Sequence, residues 1–102
     1  MYRASDRVEH AEWIARLEAA SEALDLDAET QSTATDLFLS QAPASTDGKR
    51  VVAAGSLYAA ALIRGQQRSQ SAVADAMDVS RLSVQQRWKS ILADAGFTPP
   101  TW

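Results

Sequence analysis

Residues 51–63, VVAAGSLYAAALI, decide the fold of this chain. Ser56 is the most polar side chain in the segment, so a helix formed by it has no face suited to water. A helix that is apolar on every side is normally buried on every side. The thirteen residues are too few to cross a bilayer, and their alanine content is unlike that of a buried strand. We therefore expect a central helix in which Leu57, Tyr58 and Leu62 are enclosed by the other helices, and whose glycine and alanines let those helices approach closely.

Two amphipathic helices are predicted before this central segment. The first covers about residues 5–24, where apolar residues are spaced four, three and four apart: Trp13, Leu17, Ala20 and Leu24. The second covers about residues 28–41, with Asp27 as its N-cap and its end before Pro43. Its apolar stripe consists of Ala34, Leu37 and Phe38. Residues 42–48, APASTDG, are of turn-forming types and predict a connecting loop.

Two further helices are predicted after the central one, over about residues 70–78 and 81–95. Gly65 and Gly96 are placed to end helices three and five, and Ser69 and Ser80 are placed to cap the starts of helices four and five. The inward side chains are expected to be Val73, Ala74, Met77, Val84, Trp88, Ile91, Leu92 and Ala95. The connection of three or four residues gives about residues 69–95 the layout of a helix-turn-helix. We expect one all-α domain over residues 1–102, with five helices around a buried helix three.

The charges of the chain divide by position. The net charge is -3, but residues 1–48 carry three arginines against ten carboxylates, and residues 49–102 carry seven cations against three carboxylates. An acidic half therefore precedes a basic half. This asymmetry is typical of a surface for nucleic acid or for another partner, although two solvated faces of opposite sign would give the same pattern.

The composition leaves little room for catalysis or for a metal. There is no cysteine and one histidine, and the sequence has no glycine-rich phosphate loop, nucleophile elbow or metal-ligand spacing. His10, near Glu9 and Glu12, is the one candidate general base, and we interpret it as a surface side chain. We expect no enzymatic activity, no cofactor and no metal site. No apolar stretch approaches the length of a membrane span and no signal peptide is evident, so we expect no membrane association and a cytoplasmic location.

Helix five carries the residue types that read DNA. Opposite its apolar stripe the pattern places Arg81, Leu82, Gln85, Gln86 and Lys89. Lysine, arginine and glutamine bond base edges in the major groove, and an exposed leucine can contact the methyl group of thymine. The alternative for Leu82 is a rim residue with no DNA contact.

Other residues near this face are candidates for binding the phosphate backbone. They are Lys49, Arg64, Arg68 and Arg87, together with Ser69 and the backbone N–H groups at the start of helix four. The alternative is that these arginines pair with the acidic half of the chain.

Three stretches carry a resemblance to a known family: AAGSLYAAALI, then RSQSAVADAMDVS, then QQRWK, all within residues 49–92. They resemble the second cyclin-like repeat of archaeal transcription factor B and eukaryotic transcription factor IIB. The order of the predicted helices extends the resemblance to about residues 12–97. It implies a five-helix cyclin-like fold. It also implies that helix five is similar to the helix that enters the major groove beside the TATA element, which makes Arg81, Leu82, Gln85, Gln86, Arg87 and Lys89 candidate contacts.

The resemblance also implies partners. They are double-stranded DNA at a promoter and a TATA-binding protein or other initiation factor, with a homodimer as another way to supply a second repeat. Members of the family normally carry a zinc ribbon and two repeats, whereas these 102 residues contain no cysteine and room for one repeat. We therefore expect an accessory or regulatory factor in archaeal transcription initiation, nucleoid-associated through its binding to DNA. The alternative function is a cyclin-type module that binds a transcription component without reading DNA.

Overall fold

The computed structural model describes residues 10–41 and 46–98. These residues form five helices: α1 (Ala11–Ala23), α2 (Ala28–Gln41), α3 (Thr46–Ile63), α4 (Gln70–Met77) and α5 (Arg81–Asp94). Within the described ranges there is no β-strand, and none of the helices is both long and apolar enough to cross a membrane. The predicted all-α, five-helix architecture is confirmed.

The central helix is α3, and it contacts each of the other four helices. Residues 52–61 are buried without interruption, as expected for a helix with no polar face. Leu57 and Tyr58 are enclosed as predicted, and the Tyr58 ring packs edge-on against Trp88 with 5.2 Å between ring centroids. The prediction that Leu62 is enclosed is wrong. Leu62 is only partly buried, because it lies at the end of α3, where an open groove of about 340 Å³ separates it from full contact with Leu92 and Phe97.

The helix boundaries differ from the sequence prediction mainly at the start of α3. Residues 46–48 are helical, so this part of the predicted loop 42–48 is wrong, while residues 42–45 lie outside the described ranges. Polar residues and a glycine are tolerated here because the first turn of a helix lacks intrahelical partners for its N–H groups. The predicted start of helix one at residues 5–9 also lies outside the described residues. Ala95 is exposed rather than inward, because α5 ends at Asp94.

The predicted caps are present. The Ser69 hydroxyl accepts the N–H of Ala72, and the Ser80 hydroxyl accepts the N–H of Ser83. Gly65 and Gly96 have φ values of 72° and 93°, the left-handed conformation that ends a helix at low steric cost in glycine. The two serines therefore set the starts of α4 and α5, and the two glycines set the ends of α3 and α5.

The corner between α1 and α2 is stabilised by the residues that follow α3. A carboxylate oxygen of Asp27 accepts the N–H of Thr30 at 2.8 Å, which confirms the predicted N-cap. This backbone hydrogen bond lowers the pKa of the Asp27 carboxyl. Gln66, in the connection between α3 and α4, bonds the same corner: its Oε1 accepts the N–H of Asp27 at 3.0 Å and the hydroxyl of Thr30 at 2.7 Å. The α1–α2 corner and the α3–α4 connection are thus held together.

His10 differs from its expected surface position. It is half-buried just before α1, and its ring packs edge-on against Phe38 of α2, with 5.7 Å between ring centroids. The histidine therefore contributes to the packing of α1 on α2.

Candidate nucleic-acid interface

The orientation of α5 is set by the stripe that it buries. Val84 and Trp88 are fully buried, and Ile91 and Leu92 are nearly so. They face α3, so the opposite side of α5 points away from the bundle. The sequence pattern predicted this division.

Gly55 lets α5 come close to α3. A Cβ atom at position 55 would lie 2.8 Å from Ile91 Cδ1, 3.1 Å from Arg87 Cβ and 3.5 Å from the backbone nitrogen of Trp88. Carbon atoms normally pack about 3.5 to 4.0 Å apart, so only glycine fits here without a shift. The expectation that small residues in α3 permit close approach is confirmed at this crossing.

A short turn at residues 78–80 joins α4 to α5. Asp78 closes α4 in the left-handed conformation, with φ of 58°, and the N–H of Val79 donates to the carbonyl of Ala74 at 3.0 Å. Val79 is partly buried against the core, as its apolar character predicted. Near the starts of the two helices, a guanidinium nitrogen of Arg81 lies 3.4 Å from Gln70 Oε1.

We call five residues of this helix the α5 outer face: Arg81, Leu82, Gln85, Gln86 and Lys89. Leu82 and Gln86 are exposed and lie four residues apart on adjacent turns. Gln85 and Lys89 are half-buried, and Lys89 Nζ lies 5.5 Å from the centroid of the Trp88 ring. Arg87 is exposed on the flank of α5 that lies beside Gly55. The predicted site residues on α5 therefore occupy the outer face and one flank rather than a single stripe.

The cations of α5 differ from the other cations in their partners. Arg16 pairs with Glu12 at 2.8 Å, Arg50 with Asp78 at 3.2 Å, and Arg64 with Glu29 at 3.9 Å. No carboxylate of the described residues lies within ion-pair distance of Arg81, Arg87, Lys89 or Lys49. Residues 79–93 contain no acidic side chain. The outer side of α5 is therefore a basic surface in a chain of net negative charge.

Arg68 occupies a different environment from the other predicted contacts. Its guanidinium donates to the carbonyls of Leu24 and Asp25 at 2.8 and 3.0 Å, and to those of Gln66 and Gln67 at 2.9 and 3.3 Å. These bonds tie the start of α4 to the end of α1. A phosphate contact by Arg68 stays a prediction, and the observed geometry gives this arginine a structural role.

Ser69 is exposed, and its hydroxyl is used to cap α4. The first-turn N–H groups of α4 other than that of Ala72 are the groups that a phosphate at this helix start would meet. Among the described residues there is no cluster of three or more histidine, aspartate or glutamate side chains that could hold a metal ion.

The family model described as Transcription factor TFIIB repeat matches residues 8–94 of this chain. The match includes all five helices and ends at the last residue of α5. The chain belongs to the TFIIB repeat family. Among curated proteins, no sequence matches it.

Membership in the family confirms the resemblance to a cyclin-like TFIIB repeat and the fold that it implied, while the archaeal type and the likeness to the second repeat stay predictions. Proteins with a TFIIB repeat are transcription factors rather than enzymes. In this TFIIB repeat, sequence reasoning missed the hydrogen bonds of Gln66 and Arg68 with the α1–α2 corner, because their partners lie about 40 positions away in the chain. No local pattern signals such contacts.

Proposed function

We propose that this TFIIB repeat binds double-stranded DNA through the α5 outer face, with Arg87 contacting the backbone from the adjoining flank. The observation that carries the proposal is the difference in partners among the cations. Of the five described cations without a carboxylate partner, three lie on α5. The other two are Lys49 and Arg68, and Arg68 is already bonded to backbone carbonyls within the fold. A basic helix surface on an acidic protein is suited to a local polyanion.

The proposed contacts follow from the chemistry of each side chain. Arg81, Arg87 and Lys89 neutralise phosphates, and the α4 start at Ser69 donates N–H groups to another phosphate. Gln85 and Gln86 hydrogen-bond to base edges, with adenine as the preferred partner. Gln86 is the better placed of the two glutamines, because it is exposed while Gln85 is half-buried.

The test is a series of binding measurements at increasing salt, by fluorescence anisotropy on promoter and random duplexes of about two helical turns. If four cations, Lys49 included, meet phosphates, the logarithm of the affinity falls against the logarithm of salt concentration with a slope of about -3 to -4. Lys89→Gln should reduce this slope by about 1 on both duplexes. Gln86→Ala should weaken binding to whichever duplex the wild-type protein prefers by about 1 to 3 kcal/mol, and it should leave the salt slope unchanged.

Arg16→Gln is the matched control, because it removes the same charge from α1, on the part of the bundle that contacts α2, α3 and α4. It should leave the slope as in the wild type. A DNA contact by α5 would be contradicted if the wild type and Lys89→Gln had equal salt slopes. It would also be contradicted if Lys89→Gln and Arg16→Gln reduced the slope equally.

We further propose that the protein acts in archaeal transcription initiation as an accessory or regulatory factor, with a TATA-binding protein or a second copy of the chain beside it on promoter DNA. The assignment to a family of transcription factors supports the transcriptional role. Sedimentation of the protein with promoter DNA, with and without TATA-binding protein, tests the assembly. A protein that sediments as a monomer and binds neither promoter DNA nor TATA-binding protein would contradict the proposed assembly.

The second candidate function is protein binding without DNA. It is favoured by the open groove of about 340 Å³ at the ends of α3 and α5, where Phe97 is 47 % exposed. Large exposed apolar side chains are common in protein interfaces. If Phe97→Ser abolishes binding to an initiation factor while Lys89→Gln has no effect on any duplex, this second function replaces the first.

A further inference from the structure

Leu82 is the most exposed large apolar side chain of the described residues, at 58 %. It stands in the first turn of α5, directly after Arg81 and two residues after the N-cap Ser80. Leu82 is neither a core residue nor one of the partly buried apolar side chains that pack against the core, so burial in the fold does not explain an apolar residue here. Its position among cations points instead to an apolar group carried by an anionic partner.

The major groove of DNA presents one such group. The C5 methyl of thymine is the one apolar substituent on the base edges of the groove, and it lies beside the phosphates that the flanking cations would meet. Gln86, four residues after Leu82, adds an amide suited to the adenine edge. Leucine and glutamine on adjacent turns therefore favour a thymine next to an adenine. Arginine and lysine side chains, by contrast, favour the guanine of a G·C pair.

We infer that Leu82 reads thymine methyl groups, so that the DNA recognised by α5 contains A·T pairs at the position facing the first turn of the helix. This inference rests on the proposed DNA binding and names its substrate class. The contact buries the leucine side chain, which is exposed in the free protein, against the methyl group. Burial of one methyl-sized group corresponds to about a fourfold change in affinity.

The experiment compares two duplexes that differ only in this methyl group: alternating dA-dT, and alternating dA-dU of the same length. Wild-type protein should bind the dA-dT duplex about fourfold more tightly. Leu82→Ala should bind both duplexes equally, because the methyl has lost its partner. Leu82→Met, which restores an apolar side chain of similar volume, should recover most of the preference.

The fold of each variant is verified by thermal unfolding, which a substitution at an exposed position should hardly change. Equal wild-type affinities for the two duplexes, with the salt dependence intact, would overturn the inference and leave the proposed DNA binding standing. A preference for dA-dT that persists in Leu82→Ala would also overturn it, because DNA shape would then be the cause. Binding that is absent from both duplexes at low salt would overturn the proposed function and this inference together.

Discussion

Replacing Gly55 with alanine tests the crossing of α3 and α5. The added Cβ would lie 2.8 Å from Ile91 Cδ1, which is about 1 Å inside normal carbon contact, and 3.1 Å from Arg87 Cβ. The Ile91 methyl is the end of a side chain and can rotate away. Arg87 Cβ is fixed to the backbone of α5, so the helix itself must move by several tenths of an ångström.

Two opposing effects set the size of the change in stability. Overpacking of a core costs about 1 to 3 kcal/mol. Alanine in place of glycine within a helix contributes about 0.5 to 1 kcal/mol in the other direction. We expect Gly55→Ala to lower the free energy of unfolding by about 1 kcal/mol, measured by urea or thermal denaturation. Ala15→Gly, at an exposed position of α1, measures the helix-propensity contribution separately.

A double-mutant cycle with Ile91→Val isolates the steric contact. Ile91→Val removes the Cδ1 methyl and should cost about 1 kcal/mol alone. In the double variant the alanine Cβ can occupy the vacated space, so the combined loss should be smaller than the sum of the single losses by about 0.5 to 1 kcal/mol. Strict additivity, or a Gly55→Ala protein more stable than the wild type, would refute the close approach of the two helices. Because α5 moves, Gly55→Ala should also weaken DNA binding if α5 is the contact.

Three further predictions concern stability. Arg68→Ala removes the hydrogen bonds to four backbone carbonyls and should lower the free energy of unfolding by about 2 kcal/mol, while Arg16→Ala, at an exposed ion pair, should lower it by less than about 1 kcal/mol in the same denaturation series. Because the pKa of Asp27 is lowered in the folded state, its carboxylate stabilises the fold above about pH 4, and this stabilisation is lost as pH falls through the folded-state pKa. Asp27→Asn should therefore flatten the decline of the thermal midpoint at acid pH. Leu57→Ala should cost about 2 to 5 kcal/mol, and Leu62→Ala clearly less because Leu62 is partly exposed; equal losses would contradict the observed burial.

Most of the architecture was predictable because its signals are local. Residues 51–63 carry no side chain more polar than Ser56, which required burial on all sides. The capping serines and glycines mark helix ends through bonds to residues three or four positions away. The start of α3 was missed because the residues Thr46, Asp47 and Gly48 suit a loop and a first helical turn equally well.

The candidate site was predictable in its chemistry and less so in its geometry. Helical periodicity identified the outward side of α5 and placed Gln85 there with Gln86, whereas the structure leaves Gln85 half-buried. Arg87, a predicted phosphate contact near this face, lies on the flank beside Gly55. The role of Arg68 was beyond sequence patterns, because its carbonyl partners at Leu24 and Asp25 are brought near it only by the docking of helices. Which of these residues contact DNA stays a prediction.

The uninterrupted burial of residues 52–61 in α3 has a consequence for the synthesis of the chain. The ribosome makes α3 before α5, and until residues 81–94 emerge, the side of α3 that Trp88 and Ile91 later cover faces water. A nascent or truncated chain that stops short of α5 therefore presents an apolar helix to chaperones, proteases and other such chains. The helix that we propose to bind DNA is also the one that completes the core, so a chain interrupted before α5 lacks its complete core together with its basic surface.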